Sequence, residues 1–174
     1  MNNSDKKTVF VIAVLLLSFA SCKYSGEYET VAVANKFSVD IPSWLKEDQT
    51  LKPGAEFQYA NRFRNFYMIG ESIGKADATR NVSGALQGYV AHLCDTAIMK
   101  NALLTDSVAV LVNGLRGARA EVFGKMDGET IYFSEVVLEG KKELYHLSIW
   151  TRSEERKLHF KGQIDSIIYS FREL

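Results

Sequence analysis

Apolar and polar positions change rhythm several times along this chain, and each change predicts an element. Val9 to Phe19 is apolar throughout except for Ser18. Phe37, Val39 and Ile41 then alternate with Lys36, Ser38 and Asp40, the two-residue period of a half-buried strand, and Pro42 stops it. Ser43-Trp44-Leu45 follows as a turn. Glu56 to Tyr59 and Phe66 to Ile73 are rich in aromatic and β-branched side chains, with Asn61-Arg62 between them as a hairpin connection. From Val82 the step lengthens. Val82, Leu86, Tyr89, Val90, Leu93, Ala97 and Ile98 recur at three and four residues, which predicts a helix over 82–99 with one apolar face.

Strands are predicted next over Leu104 to Val112, Leu115 to Met126, Thr130 to Leu138 and Glu143 to Thr151. Asn113-Gly114 and Asp127-Gly128 supply the two positive-φ positions of a type I′ hairpin, and Glu139-Gly140-Lys141 closes the third connection. Links this short make an antiparallel meander. Ile131, Phe133 and Val137 point to one side of their strand and Tyr132, Val136 and Leu138 to the other, so both faces of the sheet are covered. Ser153 then caps a last helix, with Glu154 and Glu155 in its first turn and a stripe of Phe160, Ile164, Ile167, Ile168 and Phe171. The predicted fold class is α+β: an antiparallel β-sheet packed between helices, an α/β/α sandwich.

Lys6 and Lys7 ahead of the first apolar run, and Ala20 and Ser21 behind it, give the layout of an export signal. The run is about half of the ~20 residues that cross a bilayer as a helix, so cleavage is expected rather than a permanent span. Removing residues 1–21 from 174 leaves 153, the size of one domain. Residues 22–34 are expected to be a tether and 35–174 the folded domain. Lys6, Lys7 and Asp5 leave with the signal, so 21 basic and 21 acidic residues become 19 and 20. That balance gives no footprint for nucleic acid and no polybasic patch for a membrane.

Phe19-Ala20-Ser21-Cys22 resembles the lipobox of bacterial lipoproteins, with Phe19 where that pattern usually has Leu. The resemblance implies diacylglyceryl modification of Cys22 and a membrane partner reached through it, two chains being enough for stable residence. Cys94 is then the remaining thiol, expected to be buried and inert in the 82–99 helix. A second resemblance spans roughly residues 35 to 172. Phe37-Ser38-Val39-Asp40-Ile41-Pro42 with Trp44, Glu56 to Asn61, the turn through Asn113-Gly114-Leu115, Gly140 to Thr151 and Ser170-Phe171 look like the PsbP-like superfamily. That family implies an antiparallel sheet between helices acting as a binding or accessory module, usually without catalysis.

Gly70-Glu71-Ser72-Ile73-Gly74 matches G-x-S-x-G, the strand-to-helix turn that exposes a nucleophilic serine in α/β-hydrolases, and Asp127 and His146 or His159 follow in hydrolase order. The next helix begins near residue 82 rather than at the serine, so Ser72 is expected at a strand end, out of reach of both histidines. His92, His146 and His159 lack metal-ligand spacing, although His146 shares a strand face with Trp150. Glu154-Glu155 suits a helix start, and Gly114 to Gly117 lacks the lysine of a phosphate loop. No catalytic set, metal site or cofactor is expected. The leading expectation is a lipid-anchored, non-enzymatic binding or accessory module of the cell envelope with an envelope protein as partner. A small serine hydrolase using Ser72 and a structural envelope component are the alternatives.

Overall fold

A computed structural model describes residues 27–75 and 81–174. Its larger sheet has seven strands, ordered β3 (Lys46–Glu47), β4 (Phe57–Asn61), β5 (Phe66–Gly74), β9 (Glu143–Arg152), β8 (Glu129–Glu139), β7 (Leu115–Met126) and β6 (Lys100–Val112). Each neighbouring pair is antiparallel. A second sheet has three strands, β1 (Tyr28–Val33), β2 (Phe37–Pro42) and β10 (Arg172–Glu173), with β2 in the middle. Helix α1 (Val82–Leu93) lies on one face of the large sheet, and helix α2 (Glu154–Ser170) lies on the other with the small sheet. The fold is thus the expected α+β sandwich, with an extra sheet beside α2.

Alternation along the central strands builds the two cores. Val136 and Leu138 point toward α2 and join Phe37, Phe57, Phe66, Leu147, Ile164, Ile167 and Phe171 in the larger core. Val137 and Leu144, one residue out of step, point toward Ala85 and Leu86 of α1. The hairpin prediction holds in detail. Asn113 and Gly114 have φ of 47° and 86°, and Asp127 and Gly128 have φ of 51° and 83°. Such backbone favours glycine, which is why the second position carries it in both turns.

Four expectations are revised. Residues 22–34 are not all tether, because β1 pairs with β2 over its whole length and Val31 and Val33 pack on the core. The helix predicted over 82–99 stops at Leu93. Asp95 intervenes: its carboxylate accepts the Ala97 N–H at 2.9 Å and its carbonyl accepts Ile98 and Met99, so the backbone turns instead of continuing. Met99 is thereby placed against Gly124, where a Cβ would lie 2.3 Å from the Met99 sulfur. Cys94, at the C-cap, is half-buried rather than buried. The strand predicted from Leu104 begins at Lys100, with register shifts between Lys100 and Leu103 and between Leu104 and Asp106.

The strands run the length of the molecule and define two ends. At one lie Glu27, Ser43-Trp44, the β4–β5 turn, Asp127-Gly128 and the start of α2. At the other lie Asn35, Lys75, Asn113-Gly114, Gly140 and the end of α2.

Candidate functional site

Cys22 lies outside the described residues. Ser72 is in β5, as expected, and faces α2, because it stands opposite Tyr145 while its neighbour Glu71 stands opposite His146 on the α1 face. The sheet therefore separates the serine from that histidine. His159 belongs to α2 and Asp127 to a turn at the far end, so no triad forms. Lys36 does donate to Ser72 Oγ at 2.7 Å, and Ser72 donates to Glu56 at 2.8 Å. A serine–lysine pair needs a neutral amine as base. Here the hydrogen bond to Glu56 raises the Lys36 pKa above its ordinary value, against a smaller effect of burial, so the amine stays protonated.

On the α1 face the structure assembles a group that periodicity did not reveal. Glu135 accepts from Ser148 Oγ at 2.5 Å and from His146 Nε2 at 2.5 Å. The other ring nitrogen, Nδ1, faces Glu71 at 3.5 Å, and Glu71 in turn accepts from Lys52 at 2.6 Å. Tyr89 of α1 stacks on the imidazole with centroids 3.5 Å apart and an 11° interplanar angle. Glu135 and His146 are both buried. Burial alone would push the His146 pKa down, but hydrogen bonds to Glu135 and Glu71 outweigh it and hold the pKa above 6.5. The His146 hydrogen bond, opposed by burial and assisted by Lys52, brings Glu71 down to about 2. The carboxylates on either side favour the protonated ring, in which both nitrogens donate and no lone pair is left to act as a base or ligand. The two carboxylates flank the ring rather than converge. Among the described residues no group of three or more His, Cys, Asp and Glu side chains is placed to hold a metal ion.

The concave feature of this face lies beside α1. That helix covers β7 and β8 and leaves β6 bare, so small side chains, Ala118 and Ala120, floor an open cleft of about 1070 Å³ that continues into a groove of about 400 Å³. Ser83, Leu86 and Val90 form one wall, and Leu104, Ser107 and Leu111 of β6 form the other. At the mouth Glu139 accepts from Lys75 at 3.0 Å and lies 3.5 Å from Arg116. Among the described residues strand β6 pairs only with β7, so its outer backbone edge is unpaired by them. Leu104, Val108 and Leu111 are exposed on it. The same-face relation of His146 and Trp150 predicted from sequence is present, yet the histidine lies beneath Tyr89 and does not line the cleft.

No protein-family model and no curated protein matches the chain. Solved structures do. The cyanobacterial PsbP protein CyanoP of Synechocystis is 12% identical with a TM-score of 0.65, over 86% of this chain and 94% of that one. The Saccharomyces cerevisiae Ran-binding protein Mog1p is 13% identical with a TM-score of 0.60, over 85% and 96%. LpqN of Mycobacterium tuberculosis, which is involved in cell envelope biogenesis, is 11% identical with a TM-score of 0.55, over 84% and 90%. At these identities the likeness is one of fold, and the fold is PsbP-like, as the strand and turn segments implied.

Proposed function

We propose that this PsbP-like domain is a non-enzymatic accessory module of the bacterial cell envelope, anchored through lipidated Cys22, that binds an extended segment of an envelope protein along β6. The observation that carries the reading is the cleft between α1 and β6, where an unpaired strand edge and exposed Leu104, Val108 and Leu111 adjoin a groove. A bare edge offers backbone donors and acceptors to an added strand, and side-chain pockets beside it select the guest. The groove favours binding over a purely structural part. The envelope role of one fold neighbour and the lipobox-like Phe19-Ala20-Ser21-Cys22 support the location.

A photoreactive amino acid at Leu111 in the lipidated chain should cross-link a defined envelope protein in living cells. The cross-link should disappear when Ala109, whose N–H faces away from β7, is changed to Pro, which blocks strand addition at the edge. The same residue placed at His159 on α2 should give no such product. Equal cross-linking from both sites would refute binding at β6. Against the hydrolase alternative, the purified domain should resist a fluorophosphonate probe. Labelling lost in Ser72→Ala would reinstate it.

A further inference from the structure

Phe63 is 93% exposed, more than any other large apolar side chain described. It stands at the tip of the β4–β5 turn between Arg62 and Arg64. The turn is held rigidly. Asn61 donates to the Trp44 carbonyl at 2.8 Å and accepts from the Arg64 N–H at 2.9 Å, while Arg156 donates to the Arg64 carbonyl at 2.6 Å. Arg64 lies over the Trp44 ring, 4.9 Å from its centroid. An aromatic ring pinned into water on a fixed turn is costly unless something covers it.

The short link between Cys22 and the fold identifies the cover. Glu27, the first described residue, accepts from the Ser43 N–H at 2.8 Å, next to the Trp44 that the turn grips. Lys23 to Gly26 are all that separate it from Cys22. Fully extended, that link reaches at most about 18 Å. The exposed Tyr28 stands at the same end.

We infer that this end of the domain faces the bilayer, with Phe63 seated among the lipid headgroups and Arg62 and Arg64 level with the phosphates. The inference rests on lipidation of Cys22. Apolar insertion, rather than net charge, sets the orientation, because Arg62 is paired with Asp48 and Arg152 with Glu129 at this end, and Glu47, Glu154 and Glu155 add acids there. Asn113-Gly114, Lys141 and the mouth of the cleft at Lys75 and Arg116 then point away from the membrane.

The test uses the mature chain anchored in nanodiscs of phosphatidylethanolamine and phosphatidylglycerol that contain a lipid spin-labelled high on its acyl chain. The backbone amide signals of Tyr28 and Arg62 to Arg64 should broaden, those of Gly114 and Lys141 should not, and raising the salt should change little. Phe63→Ala should lose most of the broadening at Arg62 and Arg64 while the protein stays anchored. Even broadening of both ends, or none at Phe63, would overturn the orientation. Mass spectrometry of the same sample reads the premise separately: no fatty acid on Cys22 would remove the anchor itself.

Discussion

Lys52, Glu71, His146 and Glu135 form a continuous chain of paired side chains. Glu71, lowered from 4.5 to about 2, contributes stability that is present above 4.5 and is lost as pH falls toward 2, on the order of 3 kcal/mol. His146, raised above 6.5, contributes stability that is complete below 6.5 and is lost as pH rises through its folded value. Thermal melts should therefore peak between 4.5 and 6.5, and Glu71→Gln should flatten the acid limb. A wild-type midpoint that keeps rising above pH 7 would contradict this assignment. Burial of Glu135 makes a second experiment decisive. Glu135→Leu alone leaves His146 and Ser148 without their acceptor and should cost about 3–5 kcal/mol, whereas adding His146→Leu should restore much of it, because a buried ion pair replaced as a whole is often neutral. Denaturant melts of the single and double variants measure the difference. These residues were only half legible beforehand. A lone carboxylate inside Tyr132-Phe133-Ser134-Glu135-Val136-Val137 was a visible anomaly, but only the register of β8 on β9 and β9 on β5 places its partners.

For the helices and long strands, periodicity sufficed, because a buried face is a repeated signal. The small elements β1, β3 and β10 left little trace. Lys46–Glu47 and Arg172–Glu173 are two-residue strands whose pairing is imposed by neighbours, with no pattern of their own. The end of α1 was overestimated because Ala97 and Ile98 continue a helical spacing that the Asp95 turn interrupts. That difference is measurable. Leu86 is buried under α1 and Leu93 only half-buried, so Leu86→Ala should destabilise by about 2–5 kcal/mol and Leu93→Ala by clearly less. Chemical denaturation of the two variants checks the ordering, and a larger loss at Leu93 would count against this packing.

At the scale of the whole molecule, the leader and Cys22 were read from a local motif, while the two ends of the domain emerge only from how strands distant in sequence stand side by side. Cys22→Ala should shift the protein from the membrane fraction to the soluble envelope fraction or leave a precursor of higher mass, as fractionation and immunoblotting would show. Unchanged membrane residence of a fully processed Cys22→Ala protein would count against the anchor. The β6 edge carries one more consequence. Its register slips between Lys100 and Leu103 and again between Leu104 and Asp106, whereas Asp106 to Val112 pairs with β7 without interruption. Seven residues, about 23 Å of strand, are therefore the straight portion that the proposed guest would follow. A longer β-strand would lose step where the edge kinks. For the proposed guest the slips would thus act as a length gauge, matching a short segment and leaving a longer one out of step beyond Asp106.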